Sequence, residues 1–448
     1  MKLELAGKRV LVLGLGISGR SAANFCAARG AHVTAADERP RQALEDLDEL
    51  DQRVELSLGN SLPDPAAFDL LVPSPGIAPE RYASRLAGRP AWGDIELAGR
   101  ALAVPVVAVT GTNGKSTTVR LIESMLRAAG LRARAAGNVG TPALSLVGAP
   151  IDLAVLEVSS FQLETIESFR PHVAVILNLS PDHLDRHGDF ANYVEVKRRL
   201  LLQQQGDDIA VLNLDDPVVR ELASSVKGDS LPFARSSLVE RGVGFDAGCA
   251  VVRTDGDPLR LPLDGLQLLG DHNLENVLAA LAAVIAAGAD PQRAIAALAD
   301  FRGLPHRLEV VASLGGVRFV NDSKATNAAA TIRSLESFAE PVVWIAGGRD
   351  KDLDFGALAD VAAGRVRNAL LIGEAAPKLE RSLSGRVSLE RAESLEYAVR
   401  RAGQLAQQGD VVLLSPACSS FDQFASFEER GERYRNAVQE LSRRGAAS

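Results

Sequence analysis

Cysteine is scarce in this sequence. Cys26, Cys249 and Cys418 are the only 3 among 448 residues, too few and too scattered for a disulfide framework, and none has a Cys or His nearby at metal-ligand spacing. Reduced thiols are expected. Long apolar runs are also missing. With 46% hydrophobic and 24% charged residues the composition is ordinary for a globular chain. No uninterrupted apolar stretch reaches the roughly 18 residues of a membrane span. Positive charge is not in excess either: a net charge of −8 and a pI near 5.5 argue against nucleic acid as a partner, since binding a phosphate backbone requires clustered Lys and Arg. Small molecules are the expected partners. The opening MKLELAGKRVLVLG runs straight into a strand pattern without a charged leader, apolar core and cleavage site, so the cytoplasm is the default location. No low-complexity tract occurs, and the length suits about two to four domains.

Lysine is scarce as well. Only 8 of the 49 basic residues are lysines, and Lys115, Lys197, Lys324 and Lys351 fall inside motif-like stretches. A chain that uses arginine for most of its solvated cations singles out its lysines, because a guanidinium cannot replace a compact ammonium or a reactive amine. Chance placement is the plain alternative.

What is present is a series of α/β units. KRVLVLGLGISG (8–19) is an apolar run followed by glycines at 14, 16 and 19, then a helical stretch to Gly30, a second strand and Asp37. That order predicts a βαβ start whose glycine turn offers backbone N–H groups and a helix N-terminus to a phosphate, with an acidic residue for a ribose hydroxyl. A tight strand-to-helix turn without a ligand fits the same pattern. LLVPSPGI (70–77) adds a strand ending in Ser74, Pro75 and Gly76, and a boundary is placed near Trp92.

A second unit opens with ALAVPVVAV, the loop VTGTNGKSTT and a helix in which Val119, Ile122, Met125 and Leu126 keep helical spacing up to a stop at Gly130. Strand, glycine loop and helix form the context of a GxxxxGK[ST] phosphate loop, except that Val109 stands where the first glycine belongs. In that geometry Gly111 and Gly114 turn N–H groups inward, Lys115 reaches the outer phosphates, and Ser116 or Thr117 offers a hydroxyl to magnesium. IDLAVLEVSS (151–160) and PHVAVILNLS (171–180) end at the ligand edge of an open sheet, the first with Glu157, the second leading to Asp182, His183 and Asp185. Carboxylate and imidazole beside a phosphate loop suit a hard cation, with His the less usual ligand for magnesium. A capped strand end is the alternative for Glu157, and His32 and His187 are read as structural. A helix from Asp271 sets Asn273 and Asn276 on one face, as partnered or capping residues, and GLPHRLE (303–309) bends the chain into a third unit.

That unit has strands near GVRFVND, PVVWIAGG, ALLIGE and DVVLLS, which predict another parallel sheet. Their ends carry Asp322, Ser323, Lys324 and Thr326, then Arg349, Asp350 and Lys351, then Ser415 and Ser420. Three βα loops at one sheet edge make a binding site by topology.

Taken together, these stretches resemble the Mur ligases of peptidoglycan synthesis over the whole chain. TGTNGKST is that family's form of the phosphate loop, in which the first glycine is not required, and it is shared with folylpolyglutamate synthases. LEVSSFQLE (156–164), LPHRLE (304–309), NDSKATN (321–327) and SPACSSFDQF (415–424) look like the family's D-glutamate-adding branch. The resemblance implies three α/β domains: a Rossmann-like UDP-sugar domain at 1–92, a central P-loop ATPase-type parallel sheet at 93–302 and a Rossmann-like amino-acid domain at 303–448. It implies an ATP-dependent amide ligation. The carboxylate of UDP-N-acetylmuramoyl-L-alanine would take the terminal phosphoryl of ATP, and the amine of D-glutamate would attack the acyl phosphate through a tetrahedral intermediate. Magnesium at two sites and Lys115 would neutralise the transferring group.

Carried over position by position, the resemblance implies that Gly111, Thr112, Asn113, Gly114, Lys115, Ser116 and Thr117 hold the ATP phosphates, with Asn276, Arg307 and Asp322 on the nucleotide. Thr117, Glu157, His183 and a carbamylated Lys197 would ligate magnesium, and Lys115, His183 and Lys197 would serve catalysis. A lysine carbamate is an anionic oxygen ligand where an ammonium would be repelled. From its neighbours Arg198 and Arg199 alone, Lys197 reads as a helix-surface lysine. Gly14, Leu15, Gly16, Asp37, Glu38, Arg39, Gly76, Asn138 and Ser159 would surround the UDP substrate, Glu38 standing where threonine is common in the family. Lys324, Thr326, Lys351, Ser420 and Phe427 would form the D-glutamate pocket, cationic and hydroxyl groups suiting a dicarboxylate. A monomer is expected, its last domain closing on ligands about the Pro305 bend. Among rivals, a folylpolyglutamate synthase would lack the unit at 1–92, and a sister ligase is opposed by NDSKATN and SPACSS. A dehydrogenase built on GLGISG would leave the second loop unexplained, and a silent nucleotide-binding module would leave Glu157, His183 and Lys197 without a role.

Overall fold

The computed structural model describes residues 3–138, 140–263, 266, 270–349 and 354–445. The chain divides into two compact units, Met1–Leu266 with Glu275–Asp300, and Gln267–Leu274 with Phe301–Ser448.

In the first unit β1 (Arg9–Leu13), β2 (His32–Asp37), β3 (Glu55–Leu58) and β4 (Leu70–Pro73) form a parallel sheet in the order β3-β2-β1-β4. Val10, Leu11, Val12 and Leu13 are fully buried, the continuous apolar run of a strand covered on both faces. The order reverses at β1, which opens a crevice at the carboxyl ends of β1 and β4. The last glycine of GLGISG lies inside the helix Ile17–Ala28, where a Cβ on Gly19 would come 1.8 Å from the Gly14 carbonyl oxygen. Only glycine lets the helix approach the turn so closely.

A second parallel sheet contains β5 (Val106–Thr110), β6 (Ala133–Gly137), β7 (Leu153–Glu157), β8 (Val173–Ile176), β9 (Ile209–Leu212) and β10 (Asp229–Ser230), in the order β10-β9-β8-β5-β7-β6. The helix Lys115–Ala128 follows β5 and buries Val119, Ile122, Met125 and Leu126, while Arg120 pairs with Glu123 at 2.9 Å. One apolar core runs from Leu5 through Ile95 and Leu97 to Leu222 and joins the two sheets. Ile95 and Leu97 lie on the helix Asp94–Ala101, where Glu96 is fully buried and accepts N–H groups of Glu167, Ser168 and Phe169 at 2.9 to 3.0 Å. Burial pushes its pKa up, but Ser168, these amides and Arg100 outweigh it and leave the carboxyl below its usual range.

The sequence reading has no counterpart for an antiparallel sheet of β11 (Gly242–Asp246), β12 (Cys249–Arg253) and β13 (Leu259–Pro262). Ala247 and Gly248 connect the first two strands at φ +45° and +76°, a two-residue turn whose left-handed residues match the twist of a hairpin.

The second unit is built on β14 (Glu309–Leu314), β15 (Val317–Asn321), β16 (Val342–Gly347), β17 (Val366–Ile372), β18 (Ser388–Arg391) and β19 (Val411–Leu414), in the order β14-β15-β19-β16-β17-β18. The expected parallel sheet is present with one addition, an antiparallel edge strand, β14. Because β15, β19 and β16 are neighbours, the chain leaves their carboxyl ends along one edge. There the buried Trp344 donates its indole N–H to the Ser415 carbonyl at 2.7 Å. The α/β class read from the sequence is the observed one, and no helix among the described residues is long and apolar enough to cross a membrane.

Candidate functional site

The phosphate-type loop leaves β5 at Thr110. Val109 is a buried strand residue whose carbonyl accepts from Val158 N–H at 2.9 Å, so the chain does not begin to turn until Gly111. A glycine at position 109 is therefore not needed. Asn178, just beyond β8, braces the loop: its carbonyl accepts from Thr112 N–H (2.8 Å), its side-chain oxygen from Asn113 N–H (2.9 Å), and its amide donates to the Asn113 carbonyl (3.1 Å). Gly114 stands at the N-terminus of the helix at φ +86°, without a side-chain cap over the N–H groups of the first turn, where Ser116 and the buried Thr117 follow. A helix start of this kind is suited to an anion. The Lys115 ammonium lies over the loop, donating to the carbonyls of Gly111 (2.8 Å) and Thr112 (2.9 Å). Asn276 packs against Gly114 and accepts from the Thr118 hydroxyl at 3.2 Å, so it is a partnered helix residue and not a cap.

Beside the loop, Lys197 is 1% exposed and donates to Thr110 Oγ1 (2.9 Å) and the Gly111 carbonyl (3.2 Å). It is not the surface lysine its neighbours suggest. Burial, then the charge of Lys115, holds its pKa well below the ordinary lysine value, against Asp182 and Glu157. Glu157 ends β7, and its Oε1 accepts from the Asn138 amide at 2.8 Å. Its Oε2 is buried with no hydrogen-bond partner among the described residues. Such an orphaned carboxylate oxygen suits a cation ligand. His183 is held at φ +50°, a strained value for histidine, with Nε2 3.7 Å from Asp182 and its ring 4.9 Å from that of Phe161. No three His, Cys, Asp or Glu among the described residues are grouped to hold a metal. A magnesium site here would need the Thr117 hydroxyl and a modified Lys197 beside Glu157 and His183.

At the carboxyl ends of β1 and β4 lies a cavity of about 590 Å³, lined by Gly14, Gly16, Asp37, Glu38, Arg39, Gly76 and Asn138 of the expected UDP set, and also by Ser74 and Arg81. Leu15, also of that set, is buried and does not line the cavity; its N–H donates to Asp37 Oδ2 at 2.8 Å, while the Ser74 hydroxyl donates to the Gly14 carbonyl at 2.7 Å. Asp37 also receives Arg39 through both oxygens, at 3.0 and 2.8 Å. Burial raises its pKa, but the Arg39 and Leu15 donors prevail and set the carboxyl at about 2. Glu38 makes an ion pair with Arg81 at the rim of the cavity, a partner that sequence spacing gave no means of finding. Ser159 caps the short helix Ser160–Leu163 in a reciprocal box with Gln162. Arg186 also escaped the sequence reading. It grips both Glu164 oxygens (3.1 and 2.5 Å) and donates to the carbonyls of Pro75 (3.4 Å) and Ile77 (3.2 Å), on either side of Gly76. His187 is buried with Nε2 3.1 Å from the Ser160 hydroxyl, and His32 is exposed on β2.

In the second unit Arg307 lies between His306 (φ +63°) and Leu308 (φ +44°), two residues in the left-handed region. Asp322 is buried beside Leu308 N–H (3.2 Å), the Ser415 hydroxyl (3.1 Å) and Ser334; burial lifts its carboxyl to about 6 in spite of these donors and the charge of Arg307. The Lys324 ammonium stands 3.7 Å over the Phe427 ring, Thr326 N–H donates to the Lys324 carbonyl at 2.9 Å, and Ser420 is buried. Lys351 and Asp350 lie outside the described residues.

Three family models cover most of the chain: the Mur ligase MurD-like N-terminal domain at 8–88, the Mur ligase middle domain at 109–284 and the Mur ligase glutamate ligase domain at 306–418. Curated relatives include the UDP-N-acetylmuramoylalanine--D-glutamate ligases of Geobacter metallireducens (43% identical over 98% of this chain and 99% of the relative) and Acidobacterium capsulatum (44%, covering 100% and 99%). Among solved structures, the MurF ligase of Thermotoga maritima in complex with ADP shares the fold, with a TM-score of 0.61 at 18% identity over 98% of this chain and 100% of that one. The chain belongs to the Mur ligase family. The two full-length relatives place it in that family's D-glutamate-adding branch.

Proposed function

We propose that the chain joins D-glutamate to UDP-N-acetylmuramoyl-L-alanine in peptidoglycan precursor synthesis, driven by ATP. A carboxylate oxygen of the UDP substrate attacks the terminal phosphorus, the bond to ADP breaks, and an acyl phosphate forms. The D-glutamate ammonium gives up one proton, its amine adds to the acyl carbon, and the tetrahedral intermediate loses a second proton from nitrogen and expels phosphate to leave the amide. The observation that carries this reading is a phosphate-type loop with Lys115 over it, in the same unit as the sugar-nucleotide-sized cavity and the unpartnered Glu157 oxygen.

In this reading the loop from Gly111 to Thr117 cradles the phosphates, and Asn276, Arg307 and Asp322 take the rest of the nucleotide. Magnesium, at two sites when bound, supplies charge neutralisation to the transferring phosphoryl group; Thr117, Glu157, His183 and Lys197 would hold it. Burial disfavours the ammonium form of Lys197, and its free amine can add to carbon dioxide with loss of a proton, so in this reading Lys197 serves as its carbamate. The cavity at β1 and β4 takes the UDP moiety, and Lys324, Thr326, Lys351, Ser420 and Phe427 take D-glutamate. One chain supplies every residue named, so a monomer suffices, and its nucleotide substrates place the reaction in the cytoplasm. A substrate panel tests the reading: phosphate release from ATP is expected only when UDP-N-acetylmuramoyl-L-alanine and D-glutamate are both present, and equal turnover with L-alanine or a diamino acid would refute it.

A further inference from the structure

Arg430, on the helix Phe427–Gly445, is completely buried. The hydrogen bonds it makes among the described residues all go to neutral acceptors. Nε donates to the Ser323 hydroxyl (3.0 Å), and Nη2 to the carbonyls of Ser323 (3.0 Å) and Cys418 (3.1 Å). Nη1 donates to the carbonyls of Cys418 (3.2 Å) and Gly347 (3.5 Å). The Ser323 hydroxyl passes the contact on, donating to the Phe427 carbonyl at 2.8 Å. Burial lowers the pKa of Arg430 to about 10, against the charges of Cys418 and the Asp422 carboxylate, so it keeps its charge at neutral pH.

A guanidinium taken out of water with no carboxylate bonded directly to it is costly, and an apolar side chain of similar volume could fill the same space. Packing alone gives no reason for arginine here. Its acceptors lie at the ends of three neighbouring strands, Ser323 after β15, Cys418 after β19 and Gly347 at the end of β16. Lys324, Thr326, Ser420 and Phe427 follow on these same segments, as does Lys351 in the sequence. The five donors of a planar fork can hold several carbonyls at once, which a lysine cannot do.

We propose that Arg430 is the positioning residue for the acceptor amino acid: its guanidinium locks the segments after β15, β16 and β19 into one arrangement, and so holds the side chains that follow them in place for an anionic acceptor. The proposal rests on the D-glutamate reading of this unit.

Steady-state kinetics on the full chain test it. In Arg430→Met the KM for D-glutamate is expected to rise roughly 10- to 100-fold, while the KM values for ATP and the UDP substrate stay within about two-fold. Arg430→Lys, which keeps the charge but loses the fork, should fall between wild type and Arg430→Met. Ser323→Ala, which removes one side-chain acceptor, should raise the same KM several-fold. A purely structural role would instead lower thermal stability or kcat with the D-glutamate KM unchanged, or raise all three KM values alike, and either result would overturn the proposal. If Arg430→Met does not fold, the KM comparison in Arg430→Lys and Ser323→Ala decides the matter. Failure of the D-glutamate reading would show separately, as wild-type phosphate release indifferent to D-glutamate, and would overturn the acceptor assignment with it.

Discussion

Lys197 shows how far environment can redirect a side chain. In sequence it stands beside two arginines on a helix; in the structure it is buried against Thr110, Gly111 and the face of Tyr193, whose ring centroid is 5.3 Å away. An ammonium there faces the charge of Lys115, whereas a carbamate would put an anion beside the Lys115 ammonium and the phosphate-type loop. Lys197→Ala is therefore expected to lower turnover at least ~100-fold, with partial recovery when a small carboxylic acid such as formate is added to replace the missing oxygens. Wild-type turnover in the variant, or an identical loss with and without the acid, would count against this role.

Local elements were the most legible in the sequence. The strand Val106–Thr110, its loop and the helix Lys115–Ala128 occupy consecutive positions, and apolar spacing, glycine placement and the Gly130 stop are all local signals. The hairpin strands β11 to β13 were not legible, because they are only 4 or 5 residues long and the first two are paired through a turn whose Ala247 gives no sequence cue. Arg430 was missed for a different reason: EERGERYRN looks like a solvated charged face, and only packing shows that one of its arginines points inward. The phosphate-type loop carries its own prediction. A methyl group on Gly114 would meet Asn276 Oδ1 at 2.3 Å on a backbone at φ +86°, so Gly114→Ala should weaken ADP binding at least ~10-fold in calorimetry, through a strain of about 1–2 kcal/mol and a displaced loop. Unchanged affinity would show that the loop can relax around the methyl group.

At the scale of the whole molecule, the residues assigned to ATP are divided: the loop with Lys115 and Asn276 belongs to one compact unit, Arg307 and Asp322 to the other. The division near Asp300 lies close to the bend read at Pro305, and it cuts the helix Asp271–Ala286, so Asn273 and Asn276 fall on opposite sides of it. The expected closing of the last domain on its ligands has a direct test. Small-angle scattering should accordingly show a smaller radius of gyration when ATP and both substrates, or ADP with a product analogue, are added. Superimposable profiles with and without ligands would refute closure.

By itself the sequence determined the α/β class, the phosphate-type loop and its departure at Val109, the polar strand ends and the kinship with Mur ligases. All of these are carried by short contiguous stretches whose periodicity and glycine placement act locally. Only the tertiary structure decided which polar atoms are buried, and with what partners. Ser323 and Arg430 meet across 107 positions, Arg186 and Pro75 across 111, and Lys197 and Thr110 across 87. Desolvation and hydrogen bonding depend on what packs around a group, so the orphaned oxygen of Glu157, the lowered pKa of Lys197 and the enclosed charge of Arg430 emerge only when residues distant in sequence are folded together within each unit.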